Sequence, residues 1–286
     1  MLWQGKKVYL LGLMVAALVA CGDDDGTSGT GGGDMTTLDM EPAVDIDAPD
    51  LPERTVPCQD ESISALDLRD TSGMRDILEE APAPNFEHFI DARGGGFPPS
   101  ESYVYARFTD EGLERVELDD EAALESTGWD IAFRRFVMRL NSGVAGPSYV
   151  VAARTAAETA FDDVTAVPDG RTFREEAYMS DTCEFVSDGS GIGAPATALG
   201  SFWTYPGCVS MTGNVFVVQL ASGRHLKLQV LSYYSPSSQA VCDSEGRGDP
   251  ATSANVRIRR AFLDCWGGAG TPGPWSRASC SWPPWP

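Results

Sequence analysis

Histidine is almost missing from this 286-residue chain, which carries only His88 and His225. A centre built on several imidazoles has little to draw on. None of the seven cysteines stands in a CxxC pair, and their wide, irregular intervals are unlike the close pairs of a structural zinc site. The chain has no HExxH, no GxSxG, no SxxK at a helix start and no Walker loop, so the catalytic constellations that those motifs carry are absent. Carboxylates abound, but nothing in the pattern selects two of them as a glycosidase pair. The chain is therefore read as a protein that is not an enzyme. Cations are outnumbered, 21 Lys and Arg against 42 Asp and Glu, for a formal charge of −21. That balance excludes nucleic acid as a partner, whose binding needs clustered cations to displace counterions. No apolar run reaches the roughly 18 to 20 residues of a permanent membrane helix.

The longest apolar run, Val8–Ala20, follows Lys6 and Lys7 and ends in small residues. That order is the signature of a secretion signal, here residues 1–20. Its last residues, Leu18, Val19, Ala20 and Cys21, resemble the lipobox of bacterial lipoproteins. The resemblance implies cleavage before Cys21, acylation of its thiol and anchoring in the membrane through several acyl chains, each CH₂ contributing roughly 0.8 kcal/mol. Gly22 in second position favours the outer membrane or cell surface. With Cys21 consumed by lipid, Cys58, Cys183, Cys208, Cys242, Cys265 and Cys280 form an even set, as expected for three disulfides in an oxidising compartment. Fifteen pairings are open, and one between Cys183 and Cys208 would close a surface loop. Residues 21–57 then read as an acidic Gly/Asp/Pro-rich tether. Positions 22–57 hold ten acids against Arg54, with too few apolar groups to offset ordering entropy. A calcium loop starting at Asp45 fails, because Pro49 and Asp50 fall where an oxygen ligand and a glycine are required.

From Cys58 to Trp266 the composition is that of a globular domain. A short helix is expected within Ser62–Glu80, with Ser72 capping MRDILEE and Pro82 ending it. After it the chain reads as all-β, mainly antiparallel. SYVYARF, TGWDIAFRRFVMRL, SYVVAART, NVFVVQLA, RHLKLQVLSYY and ANVRIRRAF are strand-like runs separated by Gly, Pro, Asp and Ser. The clearest hairpin turns at Ser222 and Gly223. Along TGWDIAFRRF, Trp129, Ile131 and Phe133 share one face and Asp130 the other, so Trp129 reads as a core anchor. Asn141 and Gly143 suit a tight turn that needs left-handed backbone. The tail, 267–286, follows Trp266 with alternating Trp, Pro and Gly and no readable period. It is either irregular and pinned by Cys280 or an aromatic contact surface.

Trp129 and Asp130 leading through a hydrophobic strand to Asn141 and Gly143 resemble the HmuY family of haem-binding lipoproteins. Upstream SYVYARF and downstream NVFVVQLASGRHLKLQVLSYY, with its KLQ strand, agree, so the resemblance covers about residues 100–265. It implies an all-β domain that takes up haem and passes it to an outer-membrane haem transporter. It also implies iron held between two axial histidine or methionine side chains over an apolar pocket.

The candidate ligands are few. Two-histidine ligation would require His88 and His225 together. His225 lies on the strand face opposite Leu226, Leu228 and Val230 and is expected to face solvent with Lys227 and Gln229. His88, in line with Phe86 and Ile90, suits a packed or half-buried site. Among thioethers, Met138 reads as core, while Met179 sits in the polar stretch EEAYMSDTC beside Tyr178, a possible phenolate ligand; Met179 and Tyr178 rank first and Met211 after them. The alternative function is a structural or interaction lipoprotein that keeps the fold without haem.

Overall fold

The computed structural model describes residues 50–72 and 75–263. In chain order they form α1 (Gln59–Leu66), β1 (Ile77–Ala81), β2 (Phe86–Asp91), β3 (Val104–Thr109) and β4 (Gly112–Val116). Then come α2 (Asp120–Ala123), β5 (Ile131–Arg134), β6 (Val137–Leu140) and β7 (Val151–Arg154). β8 (Trp203–Thr204), β9 (Ser210–Met211), β10 (Val215–Gln219), β11 (His225–Ser232), α3 (Pro236–Glu245) and β12 (Asn255–Phe262) complete them. The strands build an antiparallel six-stranded sheet in the order β1-β2-β12-β11-β10-β7 and a four-stranded sheet in the order β4-β3-β5-β6. β8 and β9 form a small third ladder. No helix among the described residues is long and apolar enough to cross a membrane.

Period-two alternation explains how the layers assemble. Val104, Ala106 and Phe108 of β3, Ile131 and Phe133 of β5, and Met138 and Leu140 of β6 meet Phe216, Val218, Leu226, Leu228, Val230 and Ile258 from the larger sheet in one core. The intervening residues supply two outer cores. Tyr103, Tyr105 and Ala132 pack with Trp129, Val144, Tyr178, Met179 and Leu66 of α1. Val215, Val217 and Ala261 pack under Phe161 and Val164. Both sheets are thus covered on both faces over part of their area, which is why VFVVQ reads as a continuous apolar run.

The hairpin at Ser222 and Gly223 forms as expected, with Gly223 at φ +82°. Several other expectations are corrected. ILEEA is the edge strand β1, not a helix, because Ile77 and Leu78 pair with Ile90 and Phe89 of β2; the helix lies earlier, over Gln59–Leu66, and Ser72 caps nothing. TGWDIAFRRFVMRL is two strands, not one: Arg135 at φ +53° makes the turn, its N–H donating to the Ala92 carbonyl at 2.6 Å. Trp129 is a fully buried anchor, but it packs with Ala132 and away from Ile131 and Phe133, because β5 begins only at Ile131. Its Nε1–H donates to the Ala123 carbonyl and its ring meets Tyr105 edge-on at 4.9 Å.

Asn141 is not a left-handed turn residue. Its buried amide donates to the Ser126 and Trp129 carbonyls and accepts from the Ser148 N–H, so one side chain closes three loops. Gly143, at φ +56°, does require glycine. Cys183 bonds to Cys58 and Cys208 to Cys242, not to each other. The first joins the start of α1 to a distant loop; the second fastens α3 beside β9. Cys21, Cys265 and Cys280 lie outside the described residues, as do the signal segment, most of the tether and the Trp/Pro-rich tail. Residues 50–57, expected as tether, are packed on the domain. Val56 is buried, Arg54 makes a two-point pair with Glu175 and lies over the Tyr149 ring, and Tyr149 donates to the Pro52 carbonyl.

Candidate functional site

Beneath the outer face of the smaller sheet lies a buried polar hub. The Asp120 carboxylate accepts from the Tyr103 and Arg69 N–H groups at 2.8 and 2.9 Å, from the Tyr105 hydroxyl at 2.7 Å and from Arg134 at 3.2 Å. Arg139 donates to the Tyr105 hydroxyl at 2.7 Å, and the guanidinium groups of Arg134 and Arg139 flank the Tyr103 ring at 4.2 and 4.0 Å. A buried charge is tolerable only with such a full set of partners. The hub therefore fixes Tyr103 and Arg134 rigidly below the surface.

Above it, two cavities adjoin along α1 and share Ala65 and Phe185. One, of about 410 Å³, is lined also by Asp60, Glu61, Ser64, Met179 and Cys183. The other, of about 190 Å³, runs beneath Phe97, Tyr103, Phe136 and Ile192 and reaches Arg134 and Arg135. Phe97 is 81 % exposed, and Phe185 and Ile192 are also exposed. Phe97 is presented by Gly94, Gly95 and Gly96, all with positive φ that side-chain-bearing residues rarely adopt. The result is a groove with a thioether and acids at one end, ring faces along its length and guanidinium groups at the other.

Met179 and Tyr178 point to different surroundings, as neighbours on an extended chain must. Met179 lines the groove. Tyr178 is fully buried, donates to the Val144 carbonyl and accepts from Arg139; burial pushes its phenol up to about 12, against the pull of Arg139, so it stays protonated.

The two histidines lie on opposite faces of the six-stranded sheet. His88 pairs with Ile258, and Ile258 with Val230, so His88 shares the face of Leu226, Leu228 and Val230. His225 is on the other face, against Phe173, and is 6 % exposed rather than solvent-facing. The layer containing Phe161 covers it, and the Lys227 ammonium beside it reaches the Phe161 carbonyl at 2.8 Å. One iron cannot take both. Burial, then the nearby Arg260, holds His88 down to about 4, and burial lowers His225 too, so both are neutral at physiological pH. Met138 is core, and Met211 is packed against the same core.

Cys58, Glu61 and Cys183 gather their ligand atoms within 4.8 Å. Both sulfurs are engaged in the disulfide, which leaves a single carboxylate and no thiolate for a metal. Phe97, Phe136 and Arg135 were not singled out by sequence reasoning. The GGGFPP run was a usable signal, since three consecutive glycines mark backbone shaped for a purpose. The turn at Arg135 carried no signal, having neither glycine nor asparagine.

A search of curated proteins found no match. Solved structures similar to this chain include one described as an HmuY-like haem-binding protein from Bacteroides vulgatus, with 15 % identity and TM-score 0.40, the alignment covering 63 % of this chain and 93 % of that one. Others are the apo HmuY analogue of Tannerella forsythia, at 15 % identity, TM-score 0.33 and 68 % and 98 % coverage, and apo PinO from Porphyromonas gingivitis, at 17 % identity, TM-score 0.33 and 68 % and 99 % coverage. The family model described as HmuY protein matches residues 100–243, which run from β3 into α3 and contain Trp129, Asn141, Met179 and most of the groove. That match spans half of the chain, and the chain belongs to the HmuY family.

Proposed function

We propose that this protein captures haem in the groove along α1, with Met179 as the axial ligand, and releases it to an uptake system. The observation that carries the reading is that Met179, the one groove-lining thioether among the described residues, shares the groove with aromatic walls and with guanidinium groups at its other end. Those are the three chemistries that a haem presents to a protein: a soft-ligand iron, an apolar ring system and carboxylates. Bound there, haem would supply only its iron for coordination, with no covalent change. Phe97, Phe136 and Phe185 would exclude water from the ring faces, and the hub beneath Tyr103 would keep the floor rigid. Among the described residues Met179 is the one free soft donor lining the groove, since Cys183 is held in its disulfide, so the reading implies ligation by a single protein side chain. The same scarcity favours the alternative, a lipoprotein that retains the family fold for protein contacts.

The LVAC string supports anchoring in the bacterial envelope through Cys21, with the domain outside the cytoplasm, and the four disulfide-bonded cysteines suit that oxidising setting. Titration of the detergent-solubilised protein with haemin tests the binding. We expect a saturable Soret shift at one haem per chain, and a Met179→Leu variant whose reduced spectrum changes and whose affinity falls about tenfold or more, the scale of one lost ligand bond. A spectrum equal to that of free haemin would overturn the reading in favour of the alternative.

A further inference from the structure

We propose that Arg135 is the carboxylate-recognition residue of the groove, so that it selects a planar ligand bearing free carboxylates over the same ring system with its acids masked. The inference rests on the haem reading and adds to it a basis for ligand choice and orientation.

Arg135 occupies the β5–β6 turn with φ +53°, and its backbone N–H is held by the Ala92 carbonyl. A side-chain-bearing residue in left-handed backbone crowds its own Cβ against the carbonyl, so the position is kept against a local cost. The guanidinium lies over the exposed Phe97 ring at 5.0 Å. It donates to the Gly96 carbonyl at 3.3 Å and to the Ser253 hydroxyl at 3.2 Å, and meets the Tyr233 hydroxyl, all neutral acceptors; its Nε–H has no acceptor.

Among the described residues no carboxylate comes within ion-pair distance of Arg135, whereas its neighbour Arg134 is held by Asp120 and by the Leu66, Asp67 and Glu101 carbonyls. The contrast is chemical. Arg134 is spent on the fold; Arg135 keeps an unneutralised charge at the wall of an apolar groove in a chain of formal charge −21. A ligand carboxylate would exchange long, neutral contacts for a charge-assisted pair partly shielded from water, which is the geometry guanidinium groups favour. The opposite end of the groove carries Asp60 and Glu61. Their charges disfavour carboxylates there, so the ligand is oriented with its acids toward Arg135 and its ring system toward Phe185 and Met179.

The test compares haemin with haemin dimethyl ester, in which both acids are masked and the ring and iron are unchanged. The detergent-solubilised full chain is titrated with each, as wild type, Arg135→Gln and Arg135→Lys. Wild type should bind haemin about tenfold tighter than the ester, the size of one charge-assisted pair. Arg135→Gln should bind both with the affinity wild type has for the ester, and Arg135→Lys should recover part of the preference. Equal binding of haemin and ester by wild type would overturn the role of Arg135 while leaving the haem site standing, and needs no variant to fold. An undiminished preference in Arg135→Gln would overturn it too. Binding of neither porphyrin by wild type would overturn the haem reading and this assignment together.

Discussion

A methyl group added at Gly146 would sit 2.1 Å from Asn141 Oδ1 and 3.0 Å from Trp129 Cζ2. Both neighbours are fully buried, and the amide is committed to three backbone partners, so neither can yield cheaply. Gly146→Ala should therefore lower unfolding free energy by about 3 kcal/mol. Gly223→Ala meets nothing within 4 Å and should cost only the left-handed backbone penalty, about 1 kcal/mol. Equal urea midpoints for the two variants would contradict this account of the Trp129 pocket. Glu176 offers a second residue-scale prediction. Its buried carboxylate accepts from the Leu140 and Ala198 N–H groups, and burial raises it from 4.5 to about 7, a shift those two bonds and the Arg139 charge only partly offset. Between those values the folded chain binds more protons than the unfolded one, so this carboxyl's contribution is greatest at acid pH and is lost as pH rises through about 7. The stability difference between wild type and Glu176→Gln should shrink by on the order of 2 to 3 kcal/mol from pH 5 to pH 8. A difference that stays flat in denaturant titrations would mean an ordinary carboxyl.

Among elements, α1 is only eight residues long, too short to persist on its own, and is held by Leu66 in the core and by the Cys58–Cys183 bond. That bond spans 125 residues and the Cys208–Cys242 bond 34, so loop-closure entropy ranks the first as worth about 5 kcal/mol and the second about 4. The double replacement Cys58→Ser with Cys183→Ser should destabilise more than Cys208→Ser with Cys242→Ser, and should also release residues 50–57 to amide exchange. Unchanged protection of those residues would show that the Arg54–Glu175 pair, the Tyr149–Pro52 bond and buried Val56 hold them without the disulfide. Which elements could be read beforehand follows a simple physical line. β3, β10, β11 and β12 were legible because their faces alternate and glycine marks the turn at Gly223. β1 was not, since ILEEA has helical composition and becomes a strand only by pairing with β2. The β5–β6 turn was hidden because a long-range bond from Ala92, rather than turn chemistry, bends the chain at Arg135. In the groove, Met179 was visible as an apolar residue in polar surroundings. The burial of His225 was not, because the layer above it comes from Phe161 and Phe173, more than fifty residues away in sequence.

For the molecule as a whole, the sandwich leaves its variation to the connections. The sheets hold one another through a continuous apolar core, while the long segment between β7 and β8 supplies both Met179 and Phe185. The proposed anchoring belongs to this scale as well. Cys21→Ser should leave the chain without lipid and move it from the detergent phase to the aqueous phase on partitioning; a variant that stays with detergent would rule out Cys21 as the attachment point.

The place where the described chain enters the domain gives the proposed anchor a mechanical consequence. Residues 50–57 lie along the fold and lead into Cys58, one residue before the helix that walls the groove, and Cys58 is bonded to Cys183 of the opposite wall. With the proposed anchor at Cys21, a pull that overcame the Arg54–Glu175 pair and the Tyr149–Pro52 bond would next reach this covalent rivet and pass between the two walls through sulfur rather than through helix hydrogen bonds. The mouth of the groove would thus stay in shape under load, because its two walls are joined covalently.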